Sequence, residues 1–261
     1  MSGINLGSGE CIVPTRADTM RDLNNEFADN AHRQYAYDFD YRMHDFMLRA
    51  FQPNLPMGRA LELGCYHGAF TERLTKVYRD LTVVEGASEL IDMARKRVGP
   101  DVQFVLSRFE DFEPRERFDA AFLLHTLEHI EDPVTLLRRI GSWLSPGGRL
   151  FVAVPNAYAA SRQIAVAMGL IPHATAVTEG EALHGHCRTY CMETLQSDVR
   201  AAGLHAVDGG GILFKPLANF QFDRALKDNI VGDDYLNGCF ELGKSYPELC
   251  ASVYVVCSSG E

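Results

Sequence analysis

The chain has 261 residues, 46% of them hydrophobic and 23% charged, which is enough apolar material for a complete core and too much for a disordered chain. Its formal net charge of -10 argues against a polyanionic partner, because nucleic acid and anionic membranes are bound through a surplus of Lys and Arg. The seven cysteines (Cys11, Cys65, Cys187, Cys191, Cys239, Cys250, Cys257) are scattered without a Cys-x-x-Cys pair, a pattern that speaks against a thiolate zinc site or a disulfide framework and for a reducing compartment.

The first residues carry Glu10, Asp18 and Arg21 and no basic segment followed by an apolar one. No stretch approaches the ~20 apolar residues of a membrane span, so the expectation is a soluble, cytoplasmic protein. Residues 19–50 are polar but studded with Phe27, Tyr35, Tyr37, Phe39, Tyr41, Phe46 and Met47, which predicts one or two helices ending before Pro53 and Pro56. A strand follows at 59–64. Apolar runs at 81–84, 102–106, 120–124 and 149–154 then alternate with helical stretches at 70–78, 88–98 and 133–144. That rhythm predicts an α/β fold with a doubly wound, mostly parallel sheet. The Ser145-Pro146-Gly147-Gly148 turn closes one helix and opens one strand, because proline sets φ and glycine accepts positive φ. Beyond residue 154 the rhythm changes to an apolar helix at 161–170, a polar His-bearing loop, a helix at 189–202 ended by Gly203, and strand-like pieces at 212–214 and 252–257. The aromatic-rich region 215–247 reads as irregular. Four parts are expected: a helical lid at 1–57, a nucleotide-binding core at 58–155, an acceptor-covering insertion at 156–188, and the rest of the sheet at 189–261 with a second insertion at 215–247.

Glu62-Leu63-Gly64-Cys65-Tyr66-His67-Gly68 links the first core strand to a helix. Gly64 would let the backbone approach a ligand and Gly68 would make the turn. Glu85, roughly 20 residues on at the end of the second strand, can accept both hydroxyls of a ribose. These segments resemble the class I, Rossmann-like SAM-dependent methyltransferases over residues 61–154. The likeness implies a seven-stranded sheet, S-adenosyl-L-methionine (SAM) as cofactor, and cofactor contacts from Glu62, Gly64, Cys65, Tyr66, Glu85, Gly86, Ala87, Ser107, Arg108, Phe109, Leu124 and His125. Phe118-Asp119-Ala120-Ala121-Phe122, Leu127-Glu128-His129-Ile130-Glu131-Asp132-Pro133 and Leu144-Ser145-Pro146-Gly147-Gly148 look like further motifs of that family. The departure is Tyr66, where the family's central glycine stands. A bulkier loop disfavours a dinucleotide, whose pyrophosphate must come close, and a second GxGxxG copy is absent, so a dehydrogenase ranks low.

Methyl transfer from a sulfonium is an in-line displacement that needs a base for the acceptor's proton, and histidine titrates near neutrality. His125 ends the fourth core strand, where this fold directs residues at substrate. Leu183-His184-Gly185-His186-Cys187-Arg188-Thr189-Tyr190 is similar to the His-x-Arg-x-Tyr/Phe segment that closes over the acceptor in ubiquinone-pathway and natural-product methyltransferases. His186 is the first choice as base, then His184, with His125 and Tyr35 as further catalytic candidates. Tyr35, Tyr37, Asp38, Tyr41, Asn156, Arg188, Tyr190 and Asn219 are the expected acceptor contacts, the tyrosines and Asp38 by their three- and four-residue spacing on the lid. For each histidine and tyrosine the plain alternative is hydrogen bonding or packing within the fold.

No metal is expected. The competing possibility is that His125-x-x-Glu128-His129 with a downstream histidine is similar to the Glu-x-x-Glu-His and His metal site of small-RNA 2′-O-methyltransferases, with Glu128, His129 and His186 as ligands and His125 where that family has its first Glu. The expected partner is a small-molecule acceptor methylated on O, N or C, without nucleic acid or membrane; a homodimer is left open. A non-enzymatic subunit that merely binds SAM is the remaining alternative.

Overall fold

The computed structural model describes residues 37–259. Tyr35 therefore lies outside the described residues. The first helix, α1 (Asp38–Phe51), buries Phe39, Met43, Phe46, Met47 and Phe51 along one face, the 3-to-4 spacing of an amphipathic helix. Its first turn is satisfied by carboxylates: Tyr37 N–H donates to Asp40 at 2.8 Å, and the N–H groups of Asp38 and Phe39 donate to Asp223 at 3.2 and 2.8 Å.

Seven strands follow: β1 (Arg59–Leu63), β2 (Asp80–Glu85), β3 (Gln103–Leu106), β4 (Phe118–Leu124), β5 (Leu144–Pro155), β6 (Leu204–Phe214) and β7 (Cys250–Ser259). They form one sheet in the order β3-β2-β1-β4-β5-β7-β6. β7 runs antiparallel to β5 and β6 while the other pairings are parallel. The helices α2 (Ala69–Leu74), α3 (Ser88–Val98), α4 (Pro133–Trp143), α5 (Ala160–Ala167), α6 (Glu179–Leu183), α7 (Met192–Ala201), α8 (Asn219–Lys227) and α9 (Asp233–Gly243) complete the fold. The central strands are buried on both faces, and successive residues serve opposite cores. Phe122 stacks on Phe151 at 4.8 Å and sits with Phe51 and Tyr254 on one side. Leu123 joins Leu61, Leu137, Ile140 and Leu150 on the other. Strand order reverses between β1 and β4, and their C-terminal ends open the crevice where this class of sheet binds ligands.

Three expectations change. Region 215–247 is not irregular: it holds α8 and α9, which bury Phe222 and Ala225, and Leu236, Cys239, Phe240 and Gly243. The surplus of aromatic residues had masked that periodicity. The strand piece at 212–214 is the end of the eleven-residue β6, which antiparallel pairing with β7 carries through three glycines; a Cβ at Gly209 would stand 2.9 Å from the Tyr254 carbonyl oxygen. The helix at 161–170 is shorter, as α5 ends at Ala167 and buries no residue. Among the described residues no helix is long and apolar enough to cross a membrane.

Candidate active site

Between β1 and α2 the chain turns through Gly64 (φ +80°), Tyr66 (φ +49°) and Gly68 (φ +82°). A Cβ on Gly68 would lie 2.8 Å from Ala94 Cβ and 2.9 Å from its Cα, so this loop seats directly on α3. A Cβ on Gly64 would come within 3.0 Å of Thr126 Oγ1 and 3.5 Å of the Phe109 ring, which places the ring expected beside a base against the glycine turn. Tyr66 holds the left-handed conformation without being glycine, at a cost of about 1–2 kcal/mol, and its ring rests on His67 with centroids 4.5 Å apart.

Glu85 does not point into open solvent. It is 8% exposed and accepts the N–H groups of Cys65 at 3.1 Å, Gly86 at 2.8 Å and Ala87 at 3.1 Å. Burial pushes its carboxyl up, against the lowering pull of those bonds. Glu62, 2% exposed on β1, is pushed up to about 8 mainly by burial and further by the Glu85 charge. One of its oxygens, Oε2, has no hydrogen-bond partner among the described residues. Two enclosed carboxyl groups, one of them short of a partner, leave this end of the crevice unsuited to a pyrophosphate. Ser107 N–H donates to the Glu85 carbonyl at 3.1 Å and Arg108 lies 3.9 Å from Glu110. Cys65 is buried, its thiol driven up by that burial, and Leu124 is half-buried.

β4 leads directly into His125, which also takes a positive φ of 47°. Its N–H donates to the Ala153 carbonyl at 2.8 Å and its Nε2 is 2.8 Å from Ser252 Oγ on β7. Burial, helped by His44, His186 and Lys215, pulls its pKa down to about 3, so the ring is neutral at working pH. A 3-10 turn (Leu127–His129) follows. It brings Glu128 and His129 to His186: one ligand atom from each lies within 4.8 Å of the others, and the two imidazoles meet edge to face at 4.6 Å. The His184-to-Tyr190 segment docks on this turn through Cys187 N–H to the Glu128 carbonyl at 2.9 Å and Arg188 to the Glu131 carbonyl at 2.9 Å. Glu128 is 2% exposed, its Oε2 has no hydrogen-bond partner among the described residues, and burial pushes its carboxyl up to about 8. His186 is lowered by burial, opposed by the nearby Glu181 carboxylate. His184 follows α6 one residue before the Gly185 turn.

On the other flank α1 lays Tyr41 across the glycine loop, with its hydroxyl 2.7 Å from His67 Nε2. Burial pushes this phenol up to about 12. His44, one turn along, is pulled down to about 4 by burial. Lys215 just beyond β6 donates to Asn219 Oδ1, and Asn219 Nδ2 donates to Asp40 at 2.6 Å.

The expected acceptor wall divides. Tyr41 faces the loop, whereas Tyr37 and Asp38 line a groove with Phe220, Asp223 and Lys227 on the outer side of α1. Asn156 is 5% exposed and spends its amide inside the protein, donating to the carbonyls of Glu248 and Cys250 and accepting from Tyr158 N–H. Tyr190 is 2% exposed with its hydroxyl on Asp198 at 2.8 Å. Neither offers a free group to an acceptor; both tie the insertion to the sheet. Nothing in the sequence marks Asp40, His44 or Ser252. His67 lies within the glycine loop, and Lys215 clusters with Asn219, Gln221 and Asp223 beyond a strand-like run, which marks it as a candidate for the other side of the pocket.

Comparison with known proteins agrees with this fold. A family model described as a methyltransferase domain matches residues 31–208. A ubiquinone biosynthesis O-methyltransferase of Xanthomonas axonopodis pv. citri (strain 306) is 31% identical over 166 residues, covering 62% of this chain and 68% of that one. Its counterpart in Xylella fastidiosa (strain 9a5c) is 31% identical over 171 residues, covering 62% and 66%. Among solved structures, the N-methyltransferase NodS from Bradyrhizobium japonicum WM9 in complex with S-adenosyl-L-homocysteine superposes with a TM-score of 0.58 at 18% identity, covering 91% of this chain and 96% of that one. The CcbJ methyltransferase from Streptomyces caelestis gives 0.59 at 17% identity, covering 91% and 98%. At such identities the structural likeness concerns the fold.

Proposed function

Since the chain belongs to the class I SAM-dependent methyltransferases and is an enzyme of the small-molecule type, we propose that it methylates a hydroxyl oxygen of a phenolic acceptor, with His186 receiving the hydroxyl proton. The observation that carries this reading is the convergence of Glu128, His129 and His186 beside the end of β4. The oxygen acceptor follows the name of the relatives that align over 62% of the chain.

SAM supplies a methyl group on a positively charged sulfur. Glu62 and Glu85 line one end of the crevice with carboxyl oxygens able to accept hydrogen bonds from the cofactor, and the Gly64 and Gly68 turn lets the nucleoside approach the backbone. Phe109 stands ready against one side of the loop. Tyr41 and His67 close the other. His125, neutral and fixed by Ser252, shapes the acceptor side without adding charge. The half-buried His186 is held neutral by its surroundings, the state a base needs, and Glu181 offsets the positive charge once the proton arrives. A net charge of -10 supports a small acceptor over RNA.

A second reading rests on the unpartnered Glu128 oxygen. Glu128, His129 and His186 would hold a divalent cation, which would polarise the acceptor hydroxyl and lower its pKa. His125 then takes no part as a ligand, since its Nε2 is committed to Ser252.

Incubation with SAM and catechol, followed by mass analysis, tests the proposal. A singly O-methylated catechol is expected. His186→Ala should lower kcat by roughly 10²–10⁴ while leaving S-adenosylhomocysteine (SAH) affinity within about twofold. Full turnover by that variant, or methylation of amines only, removes the reading.

A further inference from the structure

We propose that Lys215 is the charge-recognition residue of the acceptor pocket, selecting acceptors that carry a carboxylate or an equivalent acidic group. The inference rests on the methyltransferase reading above and specifies its substrate class.

Lys215 sits where four parts of the chain converge. β6 ends at Phe214, opposite Cys250 of β7, and Ile212 of β6 pairs with the same Ser252 that holds His125. The Lys215 carbonyl accepts the N–H of Ser161 at the start of α5, 2.9 Å away. Its side chain turns toward α1, with Nζ 5.6 Å from the centroid of the Phe39 ring. Leu213, two residues earlier, takes a positive φ of 62°, a strained conformation of the kind that re-aims a chain at functional positions.

The ammonium touches no carboxylate directly, and the Asp40 charge reaches it only across Asn219. Among the described residues Lys215 makes no ion pair. Its hydrogen-bond partner is the neutral Asn219 side chain, which stands between it and Asp40. Both oxygens of Asp40 are already engaged, Oδ1 by Asn219 at 2.6 Å and Oδ2 by Tyr37 N–H at 2.8 Å. An ammonium carries three N–H donors; one is used on Asn219 and a second faces the Phe39 ring. A part-buried cation held without a carboxylate is costly, and its cost is recovered when a ligand brings the missing negative charge. Burial pulls the Lys215 pKa down to about 8, with the Asp40 charge acting the other way. Of the groups that act on His125, burial holds His44 and His186 neutral, so Lys215 is the one that brings positive charge to the end of β4. His44 Nδ1, also buried there, has no hydrogen-bond partner among the described residues.

The test titrates 3,4-dihydroxybenzoate and its neutral amide, 3,4-dihydroxybenzamide, into the full chain saturated with SAH. The native chain is expected to bind the acid at least about tenfold more tightly. Lys215→Met should bring the two affinities together, Lys215→Arg should keep most of the preference, and both should hold SAH as the native chain does. Equal or undetectable binding of the two probes by the native chain overturns the proposal, as does a preference that survives Lys215→Met. If Lys215→Met no longer holds SAH, Asn219→Asp decides: a carboxylate against the ammonium should cut the preference at least about threefold, and an unchanged preference overturns the proposal. A retained preference for benzoate over benzamide with no methyl transfer to any phenol would sink the oxygen-acceptor reading alone. Methylation of both catechols with equal kcat/KM would sink the Lys215 proposal alone.

Discussion

Replacing Glu85 by alanine withdraws the acceptor for three backbone N–H groups at once, those of Cys65, Gly86 and Ala87. An unsatisfied buried donor costs about 1–3 kcal/mol, and water entering the vacated space recovers part of that. A net loss of about 2–4 kcal/mol follows from the three bonds. Glu85→Gln retains one carbonyl oxygen and turns an NH2 toward the remaining donor, so about 1.5–3 kcal/mol is expected from the lost charged bond. If the same carboxylate swings outward to hold a ribose, Glu85→Ala also weakens SAH binding at least about tenfold. Urea denaturation measures the first effect and calorimetry with SAH the second. A variant destabilised as calculated but binding SAH within about twofold of the native chain would make Glu85 a brace for the glycine loop only. Native stability together with native affinity would refute both halves of the reasoning.

Gly68→Ala places a methyl against the Ala94 backbone at a φ of +82°, and about 2–4 kcal/mol of stability should be lost from the left-handed backbone and the overlap together; a melting temperature equal to the native one contradicts the seating of the loop on α3. Stability should fall as pH rises from 6.5 to 8. Glu62 and Glu128, pushed up to about 8 from an ordinary 4.5, keep protons in the folded chain that the unfolded chain has already released. His44 and His125, pulled down to about 4 and about 3 from 6.5, contribute fully above 6.5 and lose that contribution only as pH falls below it, so they leave the alkaline window to the carboxylates. Denaturation profiles of the native chain and Glu62→Gln check this, the variant showing a shallower decline; a flat native profile is the contrary result. Under the second reading of the site, dialysis against Mg2+, Mn2+ or Zn2+ should load the native chain with one equivalent and leave Glu128→Gln empty by elemental analysis. Equal metal content in the two would release Glu128 from that role.

Much of the candidate cofactor end can be located in the sequence because its signals are local. Glu62, Gly64, Gly68 and Glu85 lie at strand ends whose apolar runs mark them, and a positive φ at Gly64 and Gly68 is a demand that a sequence can register. The candidate acceptor side is set by longer-range contacts. Tyr37, Asp38 and Tyr41 share a helical spacing, yet the way α1 docks sends Tyr41 to His67 and leaves the other two on the outer groove. Asn156 and Tyr190 are polar residues in a loop, the usual mark of a binding site, but each found its partners inside the protein.

The sequence by itself determined the alternation of strands and helices and the glycine turn after the first core strand, because periodicity, turn chemistry and spacing act within about twenty residues of chain. Only the tertiary structure decided which distant groups share a site. Lys215 reaches Asp40 through Asn219, His125 reaches Ser252, and Glu128 meets His186. Such pairings depend on how β6 and β7 close the sheet and how α1 lies across it, contacts between segments far apart in the chain that no local pattern encodes.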